Sequence, residues 1–264
     1  MLDIKGSVAV ITGGGSGIGE SVAKYWVANG GKVVLGDVVQ EGLARVEKEI
    51  RDMGGEAATL VCDVTKEGDS AALAKLAIDK FGAINLVVPC AGIIKDGLFL
   101  SPDRETGKIT RKMSLEQFQS VLNINVTGVF LTIRECAEQM INNACRGLIC
   151  LISSTGSLGT AGQINYSSTK AAMSVMPKVI CAEFFRKNLA DQIRCVAVAP
   201  GYVGTAMVKG MNQAALEKIL ENVPIKRLVE PEEVASLIGE LYRNEAINGE
   251  VYFIHGGLRL GSKG

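Results

Sequence analysis

The chain has 264 residues, with 28 lysines and arginines balanced by 28 aspartates and glutamates, and a single histidine. No net field draws such a protein to nucleic acid or to an acidic membrane surface, no apolar run approaches the roughly 20 residues of a bilayer span, and one imidazole excludes a site built on two. What remains is a globular chain, 47% apolar, with enough hydrophobic material for one large α/β core or two small ones.

The first apolar run, Val8-Ala9-Val10-Ile11, leads into Thr12-Gly13-Gly14-Gly15-Ser16-Gly17-Ile18-Gly19 and then into a helical pattern, Val22, Ala23, Trp26, Val27. Strand, glycine-rich turn and helix form the context in which a loop cradles phosphate. Glycine lets the backbone approach a ligand closely, and the helix start offers unpaired N–H groups to an anion. The spacing of Gly13, Gly17 and Gly19 departs from a strict G-x-G-x-x-G, so an ordinary glycine-rich turn is the alternative that this loop alone leaves open.

Lys32–Gly36 reads as a second buried strand, ended by Asp37, 18 positions beyond Gly19. A carboxylate there accepts hydrogen bonds from the adenosine ribose hydroxyls and repels a 2′-phosphate. Val38 and Val39 follow, with no arginine or lysine, and the cofactor expected is NAD rather than NADP. A helix over about Glu41–Met53, a strand Ala57–Cys62, a helix over about Ser70–Phe81 and a strand Ile84–Val88 come next. Near-continuous apolar strands separated by helices mean a parallel sheet covered on both faces. Right-handed crossovers make it doubly wound, and such sheets bind ligands at the carboxyl ends of their strands. Asp63, followed by Val64, stands at one such end, where it either faces the adenine or caps the next helix. Pro89-Cys90-Ala91-Gly92 stands at another, small enough to let a cofactor pass.

Ile93–Lys112 is polar, with turn formers Pro102 and Gly107, and reads as an exposed loop or short hairpin. A long helix resumes at Ser114, where Ser114-x-x-Gln117 makes a capping box, and Asn125 lies within it between Ile124 and Val126. Gly147–Ile152 is a fifth strand ending in Ser153-Ser154. Twelve residues past Ser154, a helix from about Asn165 to Phe185 sets Tyr166 and Lys170 one turn apart on the same face. A free phenol has a pKa of about 10; a lysine cation beside it in a dry site stabilises the phenolate and makes a proton-transfer group without histidine. Taken alone, Tyr-x-x-x-Lys reads first as an amphipathic helix face.

A sixth strand, Ile193–Ala199, ends in Pro200-Gly201-Tyr202-Val203-Gly204-Thr205. The following Ala206–Ile225, with Met207, Met211, Leu216 and Ile219, suits an adjustable apolar lid, which gives a substrate loop over about residues 202–225. Pro231 opens another helix with acids in its first turn, and Val251–Ile254 is a seventh strand. No linker or repeat divides residues 1–264, so a single domain is expected. The seven cysteines are odd in number and form no C-x-x-C, which fits buried free thiols in a reducing compartment. No Cys/His cluster has zinc spacing, and the amino terminus lacks a signal-peptide run. The expectation is a cytoplasmic protein with no metal and neither nucleic acid nor membrane as partner.

Together these residues resemble the short-chain dehydrogenase/reductase family, in its compact branch of about 250 residues. The likeness runs through Thr12-Gly13-x-x-x-Gly17-Ile18-Gly19, Asp37, Asp63, Ala91-Gly92, Asn125, Ser154, Tyr166-x-x-x-Lys170, Pro200-Gly201 and Gly256-Gly257. It implies a Rossmann-type α/β fold with a seven-stranded, doubly wound parallel sheet. It implies Tyr166 as the acid/base, Lys170 depressing its pKa and holding the nicotinamide ribose, Ser154 holding the substrate oxygen, and Asn125 supporting a water link from Lys170 to solvent. Val203 and Thr205 would meet the nicotinamide end of a site begun by Gly13, Ser16, Gly17, Ile18 and Gly19 and continued by Asp37, Asp63, Val64, Cys90, Ala91, Gly92, Tyr166, Lys170, Pro200 and Gly201. The activity implied is NAD-dependent hydride transfer to or from a secondary alcohol or ketone, apolar or aromatic because of the apolar segment after Thr205. A 3-oxoacyl thioester reductase and a non-catalytic NAD-binding module are the alternatives. Relatives of this kind are homotetramers built on helices near Ser114–Asn142 and Asn165–Phe185.

The chain departs from the family in four places. Pro89-Cys90 replaces Asn-Asn, which makes Cys90 a cofactor contact. The Ser154–Tyr166 spacing is one residue short, so Ser153 competes with Ser154; a strand end fixes position better than a loop and favours Ser154. About eleven residues around Ser101–Arg111 look inserted, and His255 replaces an aspartate before Gly256-Gly257.

Overall fold

A computed structural model describes residues 1–205, 208 and 213–258. Met207 and Met211 of the expected lid lie outside the described residues. The chain alternates β1 (Val8–Thr12), α1 (Gly17–Ala28), β2 (Lys32–Asp37), α2 (Gln40–Asp52), β3 (Ala57–Val61), α3 (Glu67–Phe81) and β4 (Leu86–Pro89). After a hairpin of β5 (Leu100–Pro102) and β6 (Ile109–Lys112) come α4 (Leu115–Leu122), α5 (Val129–Asn142), β7 (Gly147–Ile152), α6 (Ile164–Arg186) and β8 (Ile193–Pro200). The last elements are α7 (Gln213–Glu221), α8 (Pro231–Arg243) and β9 (Val251–Ile254).

Seven strands form one sheet in the order β3-β2-β1-β4-β7-β8-β9, every pairing parallel. The order reverses between β1 and β4, which opens a crevice at their carboxyl ends. The strands are apolar on both sides because both sides are covered. Ala9 and Ile11 of β1 face a layer that holds Trp26 and Tyr242, while Val8 and Val10 face one that holds Leu73, Met140 and Met173. Trp26 of α1 meets Tyr242 of α8 edge-on, ring centroids 4.8 Å apart, a pairing worth about 1 kcal/mol beyond the area it buries.

Four details differ from the pattern read in the sequence. β4 begins at Leu86 rather than Ile84; Asn85 just before it bonds its neighbours through both backbone and carboxamide, the carboxamide accepting from Val8 N at 3.0 Å and donating to the Arg146 carbonyl at 2.9 Å. α3 begins at Glu67, before Ser70, with Lys66 as its N-cap. Asp63 therefore does not cap it, and instead closes a local turn by accepting the N–H and hydroxyl of Thr65 at 3.0 and 2.7 Å. The box at Ser114 is half made. The serine accepts from Gln117 N at 3.0 Å, but the Gln117 amide reaches the carbonyls of Lys95 and Asp96. Finally, the long helix is broken between α4 and α5 by a π-helical turn, Asn123–Gly128.

The amino terminus lies at the rim opposite the crevice, where the Met1 ammonium pairs with Glu245 at 2.8 Å beyond the end of α8. Arg194 of β8, 5% exposed, gathers the carbonyls of Leu241, Tyr242, Asn244 and Ile247 at that same end. Among the described residues no helix is long and apolar enough to cross a membrane, and all seven cysteines are free.

Candidate active site

The carboxyl ends of β1, β2, β4, β7 and β8 open on one cleft of about 540 Å³, within the range of small-molecule and cofactor sites. Its floor is the glycine bend. Gly13 holds φ +65° with Ala91 N only 2.8 Å from where a Cβ would stand, and a Cβ on Gly19 would come 2.3 Å from the Gly13 carbonyl oxygen. Side chains here would block both the crossing of the bend over β4 and the start of α1. Ser16, Gly17 and Ile18 line the cleft above this bend. A dinucleotide fits such a site: a side-chain-free floor at a helix start for its phosphates, and a carboxylate at the end of β2 for its ribose.

That carboxylate is Asp37. Its Oδ2 accepts Gly15 N–H at 3.0 Å and its Oδ1 accepts Val39 N–H at 3.0 Å, which leaves each oxygen able to accept a further hydrogen bond. Val38, Asp63 and Val64 flank it on the wall, and Cys90, Ala91 and Gly92 line the opposite side at the end of β4. Burial pushes the Cys90 thiol up to about 12, so it presents a neutral, small apolar surface.

At the far end of the cleft the three candidate reactive side chains meet. Ser154 follows β7, accepts Gly156 N–H at 3.0 Å and lies close enough to the Tyr166 phenol to favour its ionised form. Lys170, one turn along α6, donates from Nζ to the Ile152 carbonyl at 2.8 Å, 5.5 Å from the centre of the Tyr166 ring. Ser153 turns away. Its hydroxyl lies 2.8 Å from both the Lys170 carbonyl and the Ser174 hydroxyl, and it is 2% exposed. The structure thus brings Ser154, not Ser153, to Tyr166.

The electrostatics differ from the sequence expectation. Burial pushes the Tyr166 phenol above its ordinary 10, against the pull of the Ser154 hydroxyl beside it, and pushes the Lys170 ammonium down to about 8. The expected depression of Tyr166 by Lys170 is absent from this structure. Both groups are desolvated, and the ammonium is spent on a peptide carbonyl rather than on the phenol oxygen.

Asn125 stands behind the wall rather than on it, 1% exposed in the π-helical turn. Its carboxamide pairs with Ile93 in both directions, accepting N–H and donating to C=O at 2.9 Å each, much as a neighbouring strand would. The widened turn aims it there, which anchors the chain just after Gly92. Pro200, Gly201, Val203 and Thr205 complete the lining after β8, with Tyr202, Ile94 and Val208 beside them. The His255 imidazole folds back on its own turn, its Nδ1 accepting Gly257 N–H at 3.1 Å.

The β5–β6 hairpin springs from a segment fastened to the site. Gly97 N–H reaches the Gly162 carbonyl at 2.8 Å, Gln163 meets Asp96 at 2.9 Å, and Asn165 holds the Lys95 carbonyl at 2.8 Å. Sequence reasoning passed over Gln163, which lines the cleft, and Arg45, which donates to the Gly15 carbonyl at 3.1 Å. Arg45 leaves only an ordinary i,i+4 pair with Glu49 as its trace in the sequence.

The sequence profile of the family described as "short chain dehydrogenase" matches residues 7–216. The chain is 32% identical to the 3-oxoacyl-[acyl-carrier-protein] reductase FabG of Thermotoga maritima, over 97% of this chain and 98% of that protein. It is 34% identical to the 3-hydroxyacyl-CoA dehydrogenase type-2 of Drosophila melanogaster, over 97% and 99%. A solved structure of 7α-hydroxysteroid dehydrogenase, complexed with NADH and 7-oxo glycochenodeoxycholic acid, matches with a TM-score of 0.86 and 28% identity, over 97% of this chain and 95% of that one.

Proposed function

Because this chain belongs to the short-chain dehydrogenase family, we propose that it is an NAD-dependent oxidoreductase acting between an apolar or aromatic secondary alcohol and its ketone. The observation that carries the reading is the meeting of Ser154, Tyr166 and Lys170 at one end of a cleft whose floor is the glycine bend. Bound nicotinamide supplies or takes up the hydride. The protein's part is to hold the reacting carbon in place and to move one proton. Tyr166 gives that proton to the carbonyl oxygen in reduction and removes it from the hydroxyl in oxidation. Ser154, beside the phenol, holds the same oxygen. Lys170 sits one turn below to hold the ribose hydroxyls and to hand on the proton, and a pKa of about 8 suits that relay near neutral pH. Asn125 fixes the wall between them and supports the relay to solvent.

Asp37 supports NAD over NADP: its free lone pairs suit two ribose hydroxyls, and its charge opposes a 2′-phosphate. Ile94, Tyr202 and Val208 support an apolar substrate. The free thiols support a reducing, cytoplasmic setting. Mixing the protein with NAD and a panel of secondary alcohols should raise reduced-nicotinamide absorbance. Tyr166→Phe should lower the rate at least about 100-fold while NADH still binds. Turnover with NADP and none with NAD would defeat the coenzyme assignment.

The two relatives that span the chain support a second reading, a 3-oxoacyl or 3-hydroxyacyl thioester as substrate. Comparing acetoacetyl thioesters with simple ketones of similar size separates the two, since only the second reading requires the thioester to win.

A further inference from the structure

The tip of the glycine bend is gripped from both sides. Gly15 gives its N–H to Asp37 Oδ2 at 3.0 Å, and its carbonyl accepts from Arg45 Nη2 at 3.1 Å. Arg45 is forked onto Glu20 at 2.8 and 2.5 Å and meets Glu49 at 3.0 Å. Lys24 joins the same two carboxylates at 2.6 Å each. Two acids and two bases thereby tie α1 to α2 beside Gly15. Gly42 has a place in the same contact. It lies inside α2, where glycine weakens a helix, and a Cβ on it would stand 2.9 Å from the Gly15 carbonyl oxygen.

We propose that Glu20 and Glu49 set coenzyme choice through Arg45: they hold the guanidinium on the Gly15 carbonyl, which places the bend for Asp37 and keeps that arginine from pairing with a phosphate on the ribose. This rests on the NAD reading above. An arginine at this tip would otherwise be the natural partner of a 2′-phosphate, because its fork matches phosphate oxygens. Its fork is already filled by Glu20, so the cation beside the bend offers a phosphorylated ribose nothing, while Asp37 repels it. The arginine hydrogen bond is the main influence holding the Glu20 carboxyl at about 2, so the clasp stays ionised throughout the neutral range. Arg45, Glu20 and Glu49 are positioning residues, since each acts through the bend or through Arg45.

The test is the binding of NADH and of NADPH to the purified protein, read from reduced-nicotinamide fluorescence alongside the melting temperature. In Glu20→Gln/Glu49→Gln, NADPH should bind about tenfold tighter and NADH about threefold weaker. Adding Arg45→Gln should erase the NADPH gain. Glu49→Gln alone, at a half-exposed position, should shift the ratio in the same direction by less, and it serves should the double variant fail to fold. A purely structural network weakens both coenzymes together. Parallel weakening, an unchanged NADH-to-NADPH ratio, or an NADPH gain that survives Arg45→Gln would each overturn the proposal. A wild-type protein that already prefers NADPH would defeat the reading of Asp37, while the variant series would still report whether the two glutamates act through Arg45.

Discussion

Burying an ammonium group is unfavourable unless a counter-charge repays it, and Lys170, 9% exposed, has a peptide carbonyl for a partner instead. Its pKa falls from 10.5 to about 8. Below pH 8 both the folded and unfolded chains carry that proton; between 8 and 10.5 only the unfolded chain does, so this residue makes stability rise with pH across that window. Lys170→Met is accordingly expected to abolish turnover while raising the melting temperature at pH 7, a trade of stability for activity. Calorimetry that finds the variant less stable would contradict it. Ser154 acts on its neighbour with a definite sign, since its hydroxyl lowers the Tyr166 pKa against burial. Ser154→Ala should therefore move the alkaline rise of the oxidative pH–rate profile to higher pH as well as lowering the rate, which a pH series on both proteins will read. Residues whose partners lie within one turn or at a strand end were legible in the sequence, as Tyr166 and Lys170 were. The choice between Ser153 and Ser154 was harder, because adjacent residues after a strand point opposite ways and the loop to Tyr166 is one residue short. Arg45 was not legible as a site residue. Its meaning comes from Glu20 and Gly15, which reach it only after α1 and α2 have packed.

The sheet's strands and the helices between them follow directly from runs of Val, Ile, Leu and Ala separated by amphipathic stretches, and their boundaries hold to within about three residues. What periodicity does not carry is a change of pitch inside one helix. Asn123–Gly128 reads as continuous helix, yet the chain widens there to turn Asn125 onto Ile93, a feature that π-helical turns serve at functional sites. Side-chain bonds to the backbone are equally hidden, as Asn85 just before β4 illustrates. Arg194 is the largest such case. Its four carbonyl partners close α8 and the turn after it, where positive charge also favours a helix end. Arg194→Met leaves those acceptors without a donor and is expected to cost roughly 3–5 kcal/mol. The midpoint of urea unfolding gives the number, and a loss below about 1 kcal/mol would mean water replaces the guanidinium.

Over the whole molecule, two of the long helices keep apolar side chains in solvent. Phe130 and Ile141 on α5 are 47% and 36% exposed, and Val175 and Val179 on α6 are 58% and 49% exposed. Surfaces of that kind mark association sites when they cluster, and we propose that four copies assemble through them. Light scattering should then return four times the 27.9 kDa subunit mass, and Val175→Glu/Val179→Glu should reduce it; a wild-type monomer would end that proposal. The parallel sheet also sorts the molecule into two ends. Five of its strands open their carboxyl ends on one rim, while Met1 is clasped to Glu245 at the other. An affinity handle or bead attached ahead of Met1 would hence sacrifice a single solvent-screened ion pair and leave the reactive mouth turned toward the bulk solution, so immobilised protein should take up coenzyme as freely as protein in solution.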